Sequence, residues 1–267
     1  MKEKIAIIGL GYVGSKVYDF LKMHGFNMYR FDIDPAKSDV KKIEDLNSFD
    51  LDFAFICVPT PMAKDGSCDI SLVADSVRRI KAKIIVIQST ISPGTTKKLE
   101  KETGRDILFV PEYFGETKNH PLNNLADRNF FVIGGRSEVR NKLFDFYKNI
   151  FDINKTRFGF FDSTAAEVIK YMENSYLATK VIFCEEFFRI CEAFGVSYDE
   201  VREGWLLDPR INPSHTLARK DGNPGFGGKC LPKDVSAIIE ASKGAGYNPE
   251  FLDFILDYNK IIRGDKL

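Results

Sequence analysis

Short apolar runs alternate with amphipathic stretches over the first part of the chain. Ile5–Ile8 is an apolar run that ends in glycine, the pattern of a buried parallel strand. Val13 to His24 follows, with Val13, Val17, Phe20 and Leu21 at helical spacing. Further strands are predicted in FNMYRFDID, LDFAFICV, KIIVIQST, ILFVPEY and NFFVIGG, and helices over Ile70 to Lys81 and Thr95 to Thr103. Strands that alternate with helices predict a doubly wound, mostly parallel α/β sheet covered on both faces. After Phe161 the pattern becomes helical. Ser163 to Phe194 runs without Gly or Pro, opens on a serine or threonine cap with Glu167 in its first turn, and stops at Gly195. SYDEVREGW, Lys233 to Lys243 and Pro249 to Arg263 also read as helices, so the chain divides near residue 157.

Composition narrows the function classes. The 267 residues carry 38 basic and 38 acidic side chains, and this balance offers no basic footprint for nucleic acid. Five cysteines (Cys57, Cys68, Cys184, Cys191 and Cys230) lack C-x-x-C spacing, which argues against a disulfide framework or a zinc site. No metal and a reducing, cytoplasmic compartment are expected. The opening MKEKIAIIGLGYVG reads as neither signal peptide nor membrane span, and no long apolar run follows, so no membrane partner is expected.

GLGYVG, with Gly9, Gly11 and Gly14, is a G-x-G-x-x-G that follows a strand and opens a helix, and the next strand ends at Asp32. Gly9 permits the tight turn, Gly11 lets backbone approach a pyrophosphate, and Gly14 lets helix and strand pack closely. Free N–H groups at the helix start face the anion. Asp32 is placed to accept from a ribose 2′-hydroxyl, which favours NAD over NADP, while Lys37 nearby offers a cation that tolerates a phosphate. The unit is therefore expected to be Rossmann-type.

NPGFGGKCLPKD, Asn223 to Asp234, sets a thiol in a glycine-rich loop. Cys230 precedes Pro232 and a predicted helix start, and a helix N-terminus with Lys229 or Lys233 would favour thiolate. Gly225, Gly227 and Gly228 let the loop pass close to a ligand. A thiolate nucleophile and a buried structural cysteine in a glycine turn are both compatible with this loop. Cys57 in an apolar strand reads as core, and Cys184 and Cys191 on one helix read as packing.

The segments IAIIGLGYVG, CVPTPMAKDGSCDI, QSTISPGTT, VPEYFGE, DRNFFVIGG, AAEVIKYMENSYLATKVIFCEE, DPRINPS and GFGGKCLPKD run along the whole chain in family order, and the sequence resembles the UDP-glucose/GDP-mannose dehydrogenase family. The resemblance implies a Rossmann NAD-binding domain over 1–157 and a helical, dimer-forming central domain over 158–267 that carries the thiol loop. It implies two NAD-dependent oxidations of the C6 hydroxymethyl of a nucleotide sugar to a carboxylate. UDP-glucose to UDP-glucuronate is the first expectation, with GDP-mannose or another UDP-sugar as alternatives. Cys230 matches the nucleophile that forms a thiohemiacetal and then a thioester. Lys170 and Asn174 match the pair near the reacting oxygen, and their spacing places both on one helix face. Asp234 matches an aspartate that positions water or takes up protons. Thr90 matches a threonine that orders the catalytic water, and Glu112 and Glu116 match two glutamates, one of them a candidate base.

Cofactor contacts are implied at Gly9, Leu10, Gly11, Tyr12, Val13, Gly14, Asp32, Lys37, Val58, Pro59, Thr60, Ser89, Thr90, Glu116 and Lys233. Substrate contacts are implied at Glu112, Tyr113, Phe114, Glu116, Lys170, Asn174, Gly225, Phe226 and Gly227, and at Arg210, whose fork would reach the sugar's phosphates, often from a neighbouring subunit.

Three departures stand out. The segment between Asp32 and Cys57 is short for the family. Cys184 stands where an asparagine is usual. The chain ends at Leu267, where family enzymes continue into a second α/β domain that holds much of the nucleotide, so a short form is expected. A homodimer through Ser163 to Phe194 is expected as well. Two other readings compete: a simpler alcohol oxidiser of the β-hydroxyacid dehydrogenase kind, which lacks the thiol, and an NAD-binding module without sugar turnover.

Overall fold

The computed structural model describes residues 2–115 and 122–265. They form two units, Met1–Pro61 with Asp69–Lys170, and Met62–Cys68 with Tyr171–Leu267.

The first unit is built on a seven-stranded sheet. In chain order it holds β1 (Lys4–Ile8), α1 (Tyr12–Met23), β2 (Asn27–Phe31), β3 (Leu51–Ile56), α2 (Ser71–Arg79), β4 (Ala82–Ile87), α3 (Thr95–Thr103), β5 (Ile107–Phe109), β6 (Phe130–Gly134), α4 (Ser137–Tyr147) and β7 (Arg157–Phe161). The strand order is β2-β1-β3-β4-β5-β6-β7. β1 to β5 are mutually parallel, β6 is antiparallel to β5 with Phe109 opposite Gly134, and β7 is parallel to β6. The chain order reverses between β1 and β3, which opens a crevice beyond the C-terminal ends of the parallel strands.

The central strands β1, β3 and β4 are apolar at most positions because both faces are covered. Ile5, Ile7, Phe53, Phe55, Ile84 and Val86 enter one core. Ala6, Ile8, Ala54, Ile56, Ile85 and Ile87 enter the other. Alternation thus sends successive residues into two cores rather than one core and water. Each fully buried Ile or Phe contributes about 1.5–3 kcal/mol.

The second unit contains most of α5 (Ser163–Phe194), then α6 (Tyr198–Trp205), α7 (Leu231–Gly244) and α8 (Glu250–Arg263). Ala178, Ile182, Phe226, Val235, Ile239 and Ile255 are in its core. The short hairpin of residues 62–68 belongs here too: Met62 bridges Cys68, and the Ser236 hydroxyl donates to the Gly66 carbonyl at 2.9 Å.

The structure differs from the sequence reading at several elements. α4 and β7 were not among the predicted elements. Glu167 does not cap its own helix. Its buried carboxylate instead accepts from the backbone N–H groups of Gly94 (2.5 Å) and Thr96 (2.8 Å) and from the Thr96 hydroxyl (2.6 Å), capping α3. α5 is capped by Asp162, which accepts from the Thr164 N–H at 3.0 Å. An acidic side chain one turn into a helix points outward from that helix's end, so a neighbouring helix N-terminus can claim it. Among the described residues no helix is long and apolar enough to cross a membrane.

Candidate functional site

The glycine loop follows β1 directly. Gly9 holds φ +89°, and a Cβ there would lie 2.8 Å from the Cys57 carbonyl oxygen. A Cβ on Gly14 would lie 1.9 Å from the Gly9 carbonyl oxygen, so α1 packs on the loop with no room for a side chain. Gly11 is different: a Cβ there meets nothing within 4 Å, which leaves its backbone open to a ligand. Leu10 is buried, Val13 is half-buried, and Tyr12 is exposed and donates from its hydroxyl to the Gly115 carbonyl at 2.6 Å. Asp32 follows β2 and accepts from the Leu10 N–H at 2.6 Å and the Asp34 N–H at 2.9 Å, with lone pairs left over. Lys37 is exposed and sits 3.8 Å from the Asp34 carboxylate.

The next strands deliver their share to the same sheet edge. Beyond β3 come Cys57, half-buried Val58, exposed Pro59 and buried Thr60, and beyond β4 come half-buried Ser89 and Thr90. The Ser89 hydroxyl donates to the Val58 carbonyl at 2.6 Å and ties the two strand ends together. The unit therefore fits a dinucleotide: an open glycine backbone at a helix start, a carboxylate at the tip of β2, and a loop that tolerates no added side chain at Gly9 or Gly14.

Glu112 follows β5 and is buried. Its Oε1 accepts from Arg128 Nη1 at 2.7 Å and from Gln88 Nε2 at 2.8 Å. Burial pushes its carboxyl above the usual range, against the pull of Arg128 and Lys170. Tyr113 is buried and Phe114 half-buried. Lys170, on α5, is buried with its Nζ 4.3 Å from the centre of the Tyr113 ring. Glu116 lies outside the described residues.

In the second unit Cys230 is exposed and occupies the N-cap position of α7, with Pro232 in the first turn. Asp234, one turn on, is buried. It accepts from Asn174 Nδ2 at 2.5 Å and pairs with Lys233 Nζ at 2.5 Å. Asn174 is buried one turn beyond Lys170 on α5. Exposure removes the buried-structural-cysteine alternative for Cys230; Cys57, Cys184 and Cys191 are buried, as their apolar settings imply.

The glycines ahead of the thiol have a packing role. A Cβ on Gly225 would lie 2.4 Å from Asn259 Oδ1, and one on Gly227 would lie 3.0 Å from Arg263 Nη1. Asn259, buried on α8, accepts from the Phe226 N–H at 2.8 Å and donates to its carbonyl at 3.0 Å. The loop is thus pinned on α8, a constraint that loop composition alone does not reveal. Arg210 is exposed and its guanidinium holds Asp208, two residues before it, at 2.5 Å. The sequence reading also missed Arg128 and Gln88. Both lie in quoted motifs, yet only the antiparallel return of β6 shows what Arg128 meets.

A parallel sheet with a glycine-loop nucleotide crevice, joined in sequence to a helical unit with an exposed thiol at a helix start, defines a Rossmann-type NAD-binding protein. Comparison with known proteins narrows this. Residues 45–152 match the NAD binding domain, and residues 164–261 the central domain, of the UDP-glucose/GDP-mannose dehydrogenase family. The chain belongs to that family. It is 32% identical over 91% of its length to the UDP-N-acetyl-D-mannosamine dehydrogenase of Methanocaldococcus jannaschii, covering 63% of that protein. It is 29% identical over 97% of its length to the UDP-glucose 6-dehydrogenase TuaD of Bacillus subtilis, again covering 63%. The chain therefore spans just under two thirds of the length of these relatives. The solved UDP-glucose dehydrogenase of Pyrobaculum islandicum shares the fold, with a TM-score of 0.85 at 24% identity over 98% of this chain and 68% of that one.

Proposed function

We propose that the chain carries an NAD-dependent nucleotide-sugar 6-dehydrogenase activity that oxidises the C6 hydroxymethyl of a UDP-sugar, UDP-glucose first, to a carboxylate. The observation that supports this most is Cys230, a solvent-exposed thiol at the start of α7 with a buried aspartate one turn behind it. NAD+, when bound, takes up a hydride in each of two oxidations.

The chain's own residues supply the rest. The N-terminal end of α7 favours Cys230 as thiolate. The thiolate adds to the carbonyl carbon of the C6 aldehyde, giving a thiohemiacetal that stays bound to the chain. Oxidation of that adduct leaves a thioester, and water releases the carboxylate and regenerates the thiol. Lys170 and Asn174 stabilise the oxyanion of the adduct, and Asp234 orients Asn174 through their 2.5 Å bond. Glu112 accepts a proton from the hydrolytic water that Thr90 orders. Arg210, with its guanidinium exposed, is proposed to reach the diphosphate of the substrate, which displaces Asp208. Met172, Tyr176, Phe187 and Phe194 are exposed along α5, and a second copy pairing on this helix would cover them.

NADH yield against a panel of UDP- and GDP-sugars tests the proposal. Two NADH per UDP-glucose are expected. One NADH per sugar would mark a simple alcohol oxidiser, and none with any sugar would leave a cofactor-binding module.

A further inference from the structure

Neighbouring side chains hold Glu112 by only one of its oxygens, and the Tyr113 backbone N–H also draws on the carboxylate. Oε1 takes both Arg128 Nη1 and Gln88 Nε2, whereas Oε2 is buried and has no hydrogen-bond partner among the described residues. Such an oxygen normally finds a donor, because a buried acceptor left without one loses the hydrogen bonds that water would give it. The arrangement around it is fixed at every point. Arg128 commits each arm of its fork: Nε to the Phe130 carbonyl at 2.8 Å, Nη1 to Glu112, and Nη2 to the Pro111 carbonyl at 2.9 Å. Its guanidinium also stacks 4.3 Å from the centre of the Phe131 ring. Gln88 is oriented from behind, since the Cys57 thiol donates to its Oε1 at 3.1 Å and leaves Nε2 to face the carboxylate. Topology accounts for the meeting. With Phe109 opposite Gly134, the chain that leaves β5 runs back along antiparallel β6 toward its start, where Arg128 sits.

We propose that Arg128, assisted by Gln88, is the positioning residue for Glu112: it holds the carboxylate by Oε1 and leaves Oε2 as the one acceptor for the hydrolytic water. This rests on the reading of Glu112 as the base for thioester hydrolysis. A buried ion pair that served stability alone would satisfy both oxygens, because the open one adds cost and no attraction. The charged and titratable groups that face Glu112 are Arg128, Lys170, Cys57 and Tyr147. Cys57 and Tyr147 are fully buried and neutral near pH 7, so burial, which raises the carboxyl, and the two cations, which lower it, set its ionisation.

The test is the pH profile of carboxylate release with NAD and UDP-glucose, in wild type, Glu112→Gln, Arg128→Met and Arg128→Lys. Glu112→Gln is expected to abolish the acid limb of hydrolysis. Arg128→Met should move that limb up by about one to three pH units, because one of two cations is gone. Arg128→Lys should recover part of the shift. An Arg128→Met limb that stays in place while Glu112→Gln abolishes it would overturn the role of Arg128 alone. A limb untouched in Glu112→Gln would overturn the base assignment and Arg128's role together. If Arg128→Met does not fold, the infrared difference between wild type and Glu112→Gln at pH 7 decides. Carboxylate bands are expected, and a protonated carboxyl band would overturn the proposal.

Discussion

Cys230→Ser is expected to lower carboxylate production by about a thousandfold or more while the protein stays folded and binds NAD. The side chain is exposed at the start of α7, so a change of sulfur to oxygen removes no core contact. A serine hydroxyl at that position is a far weaker nucleophile at neutral pH, because the helix N-terminus that can lower a thiol's pKa into range leaves an alcohol protonated. Oxidation then stops at the aldehyde, which diffuses away. Product chromatography with an aldehyde-trapping reagent separates the outcomes. Trapped aldehyde with little acid supports the assignment, and acid at the wild-type rate removes it.

The second large effect separates two glycines three residues apart. Gly14→Ala should destabilise the fold by about 3 kcal/mol, since its Cβ would lie 1.9 Å from the Gly9 carbonyl oxygen and no flexible side chain can yield there. Gly11→Ala should leave stability within about 0.5 kcal/mol, because φ is −74° and open space surrounds the added methyl. It should nonetheless weaken NAD binding by about tenfold, since that space is where a pyrophosphate meets the backbone. Urea unfolding and NAD titration check the pair. Equal stability losses would show that Gly11 is packed rather than open, and unchanged NAD affinity in Gly11→Ala would move the phosphate site elsewhere.

Much of the first unit was legible because its signals are local. A glycine loop between an apolar run and a helix leaves few alternatives, and the strands with the strongest patterns, β1, β3 and β4, are those buried on both faces. α4 carried a readable signal in Val139, Leu143 and Phe146, all on its buried side. β7 was harder, since only five residues with half-exposed positions define it. Pairings between distant segments were not legible. Nothing in DRNFFVIGG says that its arginine grips Glu112, because that depends on the direction of β6. Glu167 shows the same limit: the motif for capping its own helix is present, yet a helix remote in sequence claims the carboxylate. The thiol loop was read for its chemistry, while its glycines turn out to close on Asn259 and Arg263 of α8.

The covalent intermediate is the point on which the account stands. Wild type and Glu112→Gln should be mixed with NAD and UDP-glucose, quenched in acid within one turnover, digested and weighed. The expected result is a UDP-sugar acyl group on the peptide that contains Cys230, more abundant in Glu112→Gln. Carboxylate formed with that peptide unmodified throughout, or the acyl group found on another residue, would contradict it.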